Sequence, residues 1–181
     1  MARYLAFLRA INVGGHVVTM DRLKTLFADM GYAGAETFIA SGNVIFETRA
    51  KDIAAVETKV ARGLEAALGY AVGTFIRSDA EVAAVSLATP FPAKAMQEAV
   101  SFNVGFMNAP LGKDALAIMR SYNTDMDLFE SVGREFFWMS RTRQSESPFF
   151  KLRFEKAFKS DVTFRSMTTV RKLAAKYPPG A

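Results

Sequence analysis

Apolar positions repeat along the chain with two different periods, and the alternation between them predicts the elements. Short apolar runs such as RYLAFL (3–8) and VGTFIR (72–77) are bounded by glycine or polar residues, as buried strands are. Between such runs, apolar residues recur three and four positions apart, which is typical of amphipathic helices. The first of these helices is predicted to begin after Thr19, a capping residue, and to end at Gly31.

The first half of the chain is predicted as strand, helix, two strands, helix, strand and a further short helix. The two middle strands come from TFIASGNVIFET (37–48), whose Gly and Asn residues are typical of a hairpin turn. The second helix is predicted to open at Asp52 and to end at Gly69. Ser78 and Glu81 have the spacing of a capping box, which predicts that the short helix starts there.

Pro90 and Pro92 break this pattern, and the order of elements then repeats. A hairpin is predicted to turn near Gly133, and Ser147 is predicted to cap the helix that follows it. The predicted strand, helix, hairpin, helix, strand and helix cover 100–107, 113–122, 126–140, 147–158, 162–164 and 167–177.

A sequence echo links the two halves. FIRSDAEVAAVSLATP is echoed 88 positions later by TFRSMTTVRKLAAKYP, so that Arg77 matches Arg165. The β-α-β-β-α-β order is that of a ferredoxin-like fold. We therefore expect an α+β protein with a duplicated architecture, made of two ferredoxin-like repeats with halves at 1–90 and 91–181.

The composition excludes several classes of function. With no cysteine there are no disulfides, thiol nucleophiles or cysteine metal sites, and a single histidine excludes a multi-histidine metal site within one chain. No apolar run approaches the length of a transmembrane helix. We therefore expect a cytoplasmic protein with no cofactor, no metal site and no membrane partner.

Charge is distributed unevenly along the chain. The net charge is +5, but the part from Arg134 onward holds eleven Lys or Arg residues against four Asp or Glu residues, a charge of +7. Such a basic segment favours an anionic partner, and nucleic acid is one such partner. An ordinary solvated surface explains the same excess of cations, and the sequence leaves both explanations open.

The first strand leads into LRAINVGGH, the segment with the strongest indication of chemistry. It lacks the lysine and hydroxyl of a P-loop and the spacing of a dinucleotide fingerprint. Two adjacent glycines can nevertheless expose backbone N–H groups to an anion, with an arginine at the strand end as a partner. The ligand-binding residues predicted here are Arg9, Asn12, Gly14, Gly15 and His16. The alternative is a plain glycine turn in which Asn12 bonds its own backbone.

Four more residues join the predicted binding set. Ser41 and Asn43 flank Gly42 in the hairpin, where the same residues also suit a tight turn without any ligand. The sequence leaves open whether this turn and the first loop lie at the same end of the sheet. Lys151 and Arg165 belong to the basic carboxy-terminal elements, and they either pair with an anionic ligand or are simply solvated.

Two further patterns have a functional and a structural interpretation. Arg134, Phe136 and Trp138 alternate along REFFWMSR, the arrangement with which RNA-recognition domains stack bases. Core packing is favoured, because aromatic residues on strands are usually buried. Asp125 and Asp127 suggest either a weak divalent-cation site or an Asp-rich loop, and the loop is the simpler explanation.

Three motifs identify a resemblance. The chain opens with LRAINVGG, continues with TFIASGNVIF and ends with TFRSMTTVRKL. These resemble LRGINVGG, T-aromatic-I-x-S-G-N-V-x-F and T-x-R-N-W-x-T-V-x-K-L of the bacterial domain-of-unknown-function family 1697. Ala10 replaces a glycine of the first motif, and Ser166 and Met167 replace the Asn-Trp pair of the last. The resemblance implies a two-part α+β fold and a cytoplasmic location, and it implies no activity.

We expect a binding module for an anionic ligand, either a nucleotide or nucleic acid. It would use the LRAINVGG loop and the basic carboxy-terminal segment. The alternative is an enzyme that acts on a small phosphorylated or carboxylated substrate at the same loop, with His16 or Asn12 taking part. The lack of an evident acid–base pair in the sequence favours the binding module.

Overall fold

The structure is a computed structural model that describes residues 1–12, 14–39 and 42–180. These residues form a mixed α/β fold with two four-stranded antiparallel sheets and seven α-helices. The chain divides into two compact units, Met1–Ala84 together with Leu173–Ala181, and Val85–Lys172. Across the described residues, no helix is both long enough and apolar enough to cross a bilayer.

The first unit contains a sheet in the order β2-β3-β1-β4, in which every neighbouring pair is antiparallel. Its strands are β1 (Ala2–Arg9), β2 (Glu36–Thr37), β3 (Asn43–Thr48) and β4 (Gly73–Ser78). The helices along this part of the chain are α1 (Met20–Asp29), α2 (Ile53–Leu68) and α3 (Asp79–Ser86). β1 is apolar through its middle because it lies between two strands, and Leu5 to Leu8 are at most 2% exposed.

Capping residues fix the helix boundaries as the sequence predicts. Thr19 and Asp52 each accept a hydrogen bond from a backbone N–H of the following first turn, at 3.1 and 3.0 Å. Gly69 ends α2 in the left-handed conformation, with φ of 81°. Ser78 and Glu81 form the predicted capping box, with bonds of 2.8 and 3.1 Å between each backbone N–H and the other side chain.

One face of the first sheet packs with α1 and α2 to form an apolar core. Leu23 and Phe27 come from α1, and Val60 and Leu64 come from α2. Burial of each such side chain stabilises the fold by about 1.5–3 kcal/mol. Met20, at the first position of α1, has the apolar spacing of Leu23 and Phe27 but is 48% exposed and lies outside this core.

The second unit contains a sheet in the order β6-β7-β5-β8, again antiparallel throughout. Its strands are β5 (Ser101–Phe106), β6 (Asp127–Val132), β7 (Glu135–Ser140) and β8 (Thr163–Ser166). The helices along this part of the chain are α4 (Ala93–Gln97), α5 (Lys113–Ser121), α6 (Phe154–Phe158) and α7 (Met167–Lys176). The hairpin predicted near Gly133 is confirmed by the pairing of β6 with β7, whereas the sequence pattern did not predict the short helix α4.

The core of the second unit is built largely from aromatic rings. Phe136 and Trp138 on β7 are at most 2% exposed, and both pack against Phe154 of α6. Phe129 of β6 stacks on the Phe136 ring with 5.8 Å between the centroids. The core-packing interpretation of REFFWMSR is therefore confirmed, and these rings are not a surface on which bases could stack.

The single helix predicted over 147–158 is wrong. Ser147 does cap the segment, since its hydroxyl accepts from the N–H of Phe149 at 3.1 Å. The cap is followed by one 3-10 turn, Pro148–Lys151, then by extended Leu152, and only afterwards by α6. On one continuous helix, Phe150 would share a face with Phe154 and Phe158, four and eight positions later. In the structure Phe150 is instead 53% exposed.

The break has a packing reason. Phe149 and Phe154 both contact the ring of Phe129, with centroids 5.0 and 5.9 Å away. On a continuous helix, residues five positions apart point about 140° away from each other. The chain therefore has to leave the helical path for both rings to enter one core.

The matched arginines occupy corresponding places on the last strand of each sheet. Arg77 pairs with Leu5 of β1, and Arg165 pairs with Val104 of β5. Both guanidinium groups donate from Nη1 to the carbonyl of the preceding residue, at 2.9 and 2.8 Å. Each strand is followed directly by a helix, so the two elements of the echo are of the same kind.

Candidate anion-binding site

Three connections meet at one end of the first sheet, and we call this the loop end. Their described residues are 10–12 and 14–19 after β1, 38–39 and 42 before β3, and 69–72 before β4. Antiparallel pairing brings them together, because Phe7 lies opposite Asn43 and Arg9 lies opposite Gly73. The N–H of Leu8 also donates to the carbonyl of Gly42 at 2.8 Å. The first loop and the hairpin connection are therefore at the same end of the sheet, a point that the sequence left open.

A side-chain hydrogen bond closes the first loop. Asn12 accepts the backbone N–H of Val18 at 2.7 Å, so its amide oxygen is used within the loop. Between these residues, Gly14 and Gly15 are exposed and have φ of 69° and 87°. No atom outside the immediate backbone lies within 4 Å of the position that a Cβ would take at either glycine. The need for glycine here comes from the backbone conformation rather than from crowding.

The same loop is held to the connection between α2 and β4 by a tyrosine that the sequence analysis missed. The Tyr70 hydroxyl donates to the carbonyl of Ile11 at 2.8 Å. The exposed ring of His16 stacks on the Tyr70 ring, with 4.0 Å between centroids and 22° between planes. A tyrosine directly after the helix-ending Gly69 was the available signal, but its partners lie far away in the sequence. The Tyr70 ring thereby supports His16 at the surface.

Two positions near this loop are conformationally demanding. Ala10 has φ of 60°, in the left-handed region that disfavours residues with a Cβ. Gly42 has φ of 72°, and a Cβ added there would lie 3.0 Å from the Leu8 Cβ and 3.1 Å from the Ile11 Cγ2. The close contact of the two loops therefore depends on glycine at position 42.

The hairpin connection contributes structure more than accessible chemistry. Asn43 is 1% exposed, and its amide nitrogen donates to the carbonyl of Phe38 at 3.0 Å. The predicted ligand residue Ser41 lies outside the described residues. β2 is only Glu36–Thr37, so the first of the two predicted strands is shorter than its apolar pattern suggests. Asn43 closes the connection from inside and faces no open surface.

Lys151 and Arg165 belong to the second unit. Lys151 is exposed at the end of the 3-10 turn. Arg165 is partly buried and donates to the Thr163 hydroxyl at 3.0 Å as well as to the carbonyl of Phe164. Burial lowers the pKa of Arg165 to about 10, which leaves it charged at neutral pH. The structure therefore gives Arg165 internal partners and leaves Lys151 at the surface.

Several other cations of the basic segment also have partners within the protein. Arg141 pairs with Glu98 at 2.7 Å, and Arg153 pairs with Glu155 at 3.1 Å. Arg171 lies 3.4 Å from the carbonyl of Ser86. The charge counted from the sequence is therefore partly neutralised or engaged, and it overstates what a polyanion would meet.

Of the acidic pair Asp125 and Asp127, the Asp127 side chain has a structural role. Asp127 is 1% exposed, and one of its oxygens accepts from the Trp138 indole and from the Ser147 hydroxyl, both at 2.9 Å. The carbonyl of Asp125 accepts from Arg141 at 2.6 Å. Within the described ranges, no group of three or more His, Asp or Glu residues is placed to hold a metal ion.

The architecture is that of a mixed α/β protein with two antiparallel sheets. The structure of conserved bacterial protein SP0830 from Streptococcus pneumoniae is similar over 98% of each chain, with a TM-score of 0.76 and 20% sequence identity. At that identity the likeness establishes the fold alone. No curated protein matches the sequence.

Residues 1–137 of the 181 match the family described as "Protein of unknown function (DUF1697)". The chain belongs to this family, which confirms the resemblance drawn from the motifs. The matched region includes the whole loop end.

Proposed function

We propose that the loop end binds a small anionic ligand of the nucleotide class, with a phosphate group against the backbone at Gly14 and Gly15. The observation that carries this proposal is a pair of consecutive, exposed, left-handed glycines in a loop fixed at Ile11 and Val18. Backbone N–H groups in such turns bind anions with little reorganisation. Arg9 ends the adjoining strand, and in this proposal its guanidinium adds a charge-assisted hydrogen bond to the anion.

The aromatic pair favours a nucleotide over a bare phosphate. His16 is exposed, and one face of its ring already rests on Tyr70. A supported ring of this kind offers its other face to a base, and base–aromatic stacking contributes about 1–3 kcal/mol. The proposed ligand therefore spans the glycines with its phosphate and His16 with its base.

The remaining predicted residues have supporting parts in this proposal. Asn12 and Asn43 hold the two connections in place through their bonds to Val18 and Phe38. Ser41 stays a proposed contact. The proposal is a binding module because the features that carry it, the glycine pair and the His16–Tyr70 stack, are suited to holding a ligand.

Nucleic acid is the second anionic partner to be tested. It is supported by the exposed Lys151, whereas Arg165 is engaged internally. If lysines contact phosphates, the logarithm of the binding constant falls with the logarithm of salt, by about 0.7 per neutralised phosphate on a single strand. Fluorescence anisotropy with a labelled oligonucleotide measures this slope. No binding at low salt would eliminate the nucleic-acid partner and leave the nucleotide site untouched.

The nucleotide site is tested by titrating the full chain with inorganic phosphate and with AMP, using thermal unfolding and calorimetry. Arg9→Ala should weaken both ligands by about 1.5–3 kcal/mol, the range for hydrogen bonds to charged groups. His16→Ala should weaken AMP and leave phosphate unchanged. Arg62→Ala, an exposed arginine on α2, is the matched control and should alter neither ligand.

Two results would contradict the proposal. One is a wild-type protein that neither phosphate nor AMP stabilises at millimolar concentration. The other is an Arg9→Ala variant that unfolds without ligand, because Arg9 would then be a structural residue.

We also propose that the protein is a duplication of a ferredoxin-like repeat, with halves near 1–90 and 91–181. This is supported by the common sheet order, by the matching arginines and by the echo at an offset of 88. Compactness instead groups Leu173–Ala181 with the first unit. Superposition of the isolated sheets should bring Arg77 onto Arg165.

A cytoplasmic location stays a prediction.

A further inference from the structure

A second concave site lies at the opposite end of β1 from the loop end. An open cavity of about 550 Å³ is bordered by the end of β3, the start of α2 and the connection after α1. Its volume falls within the range of about 300–1,000 Å³ that is typical of small-molecule sites. We call it the Tyr32 pocket, since Tyr32 lines it and is its most buried polar side chain.

Tyr32 is held firmly by its ring but not by its hydroxyl. The residue is 6% exposed, and its ring lies 4.8 Å from that of Phe46. The Lys59 ammonium lies 4.9 Å from the Tyr32 ring centroid and donates to the carbonyl of Met30 at 2.7 Å. Among the described residues, none forms a hydrogen bond with the Tyr32 hydroxyl. The hydroxyl oxygen is not itself fully buried, so a molecule bound in the cavity that Tyr32 lines can accept its hydrogen bond.

The charges around the pocket favour an anion. Arg49, Lys51 and Lys59 line it, together with Glu47 and Asp52. The Asp52 carboxylate already caps α2 by accepting from the N–H of Ala55, so it also occupies the helix terminus. Within the described part of the chain, no ion pair within 4 Å engages Arg49, Lys51 or Glu47. Two cations at the edge of the pocket are therefore available to a ligand.

We infer that the Tyr32 pocket binds a small phosphorylated or carboxylated molecule. Its anionic group would lie at Arg49 and Lys51, and an acceptor atom would take the Tyr32 hydroxyl hydrogen bond. Burial raises the pKa of Tyr32, so the phenol is a protonated donor at neutral pH. This site shares no residue with the loop end, so the inference does not depend on the proposed function.

The test is a chemical-shift titration of the full ¹⁵N-labelled chain with inorganic phosphate and, separately, with succinate. We expect shifts in the amides of residues 47–59 that saturate. A preference for one probe identifies the anionic group as phosphate or carboxylate. Saturating shifts confined to the loop end, or no shifts at all with either probe, would overturn the inference.

Variants separate ligand contacts from structural ones. Arg49→Gln with Lys51→Gln should weaken the preferred probe at least about tenfold, as expected for lost bonds to charged groups. Arg62→Gln is the matched control on α2 and should not change the affinity. An unchanged affinity in the double variant would refute the assignment of these two cations.

Tyr32→Phe removes only the hydroxyl. We expect the melting temperature without probe to stay the same, because the hydroxyl has no partner to lose, and the probe affinity to fall severalfold. A lower melting temperature with an unchanged affinity would instead show that the hydroxyl is structural, and the inference would be wrong.

Discussion

Two tyrosines at opposite ends of β1 use their hydroxyls in opposite ways. At the loop end, Tyr70 donates to the carbonyl of Ile11 and supports His16, so its polar group is committed to the fold. In the Tyr32 pocket, the more buried Tyr32 is fixed through Phe46 and Lys59, while its hydroxyl has no partner in the described part of the protein. A committed group contributes to stability, whereas an accessible hydroxyl without a partner in the protein is available for recognition.

The comparison extends to how each end would hold an anion. The loop end offers backbone from Gly14 and Gly15, whose conformation is part of the fold. The pocket offers the side chains of Arg49 and Lys51, which can be replaced without altering the backbone. Substitutions at the loop end should therefore alter stability and binding together, and those in the pocket should alter binding alone.

The largest expected difference between the two ends concerns glycines with positive φ. Gly42→Ala at the loop end should destabilise by about 2–4 kcal/mol, because left-handed strain adds to the close contacts with Leu8 and Ile11. Gly34→Ala, near the pocket end, has the same strain but open space, and should lose only about 1–2 kcal/mol. Urea unfolding of the two variants measures the difference. Equal losses would show that the contacts around Gly42 relax freely.

Ala10→Gly is expected to stabilise the protein by about 1 kcal/mol. Ala10 has φ of 60°, and glycine removes the strain of its Cβ, although the unfolded chain gains some freedom. The midpoint of urea unfolding should therefore rise. Ala61→Gly in the middle of α2 is the control and should do the reverse, since glycine weakens a helix interior. A lower midpoint for Ala10→Gly would mean that this turn is not left-handed in solution.

The tyrosine comparison can be tested by removing each hydroxyl in turn. Tyr70→Phe should lose about 0.5–1.5 kcal/mol, the net value of one hydrogen bond. Tyr32→Phe should lose nothing. The two changes are chemically identical, so each is the control of the other in a thermal unfolding experiment. If Tyr32→Phe proves the more damaging, the contrast drawn between the two ends is reversed.

The smallest effect is expected at alkaline pH. Burial raises the pKa of Tyr32, so the unfolded chain ionises this phenol at a lower pH than the folded protein does. The resulting stability is present below about pH 10 and is lost as the pH rises through the pKa of the folded state. The free energy of unfolding of Tyr32→Phe should therefore decline less steeply above that pH than the wild-type value. Parallel curves would indicate that Tyr32 titrates normally.

Local chemistry along the sequence was sufficient for most elements. Thr19, Asp52 and Gly69 mark helix ends because capping depends on neighbours within a few residues. The Arg77 and Arg165 echo likewise located two strand ends correctly. The prediction of one helix over 147–158 was wrong because Phe149 and Phe154 both pack against Phe129 in the core, which is a tertiary effect.

The candidate site divides in the same way. Gly14, Gly15 and Asn12 could be singled out from the sequence, since their roles are local to one loop. Tyr70 and Tyr32 could not be singled out, because their partners are distant in the sequence. Tyr70 bonds to Ile11, 59 positions away, and the Tyr32 ring contacts Lys59 on α2. Only the antiparallel pairing of β1 with β3 and β4 decided which connections share an end of the sheet. Strand register is a long-range property, so side chains distant in the sequence become neighbours only once the sheet has formed.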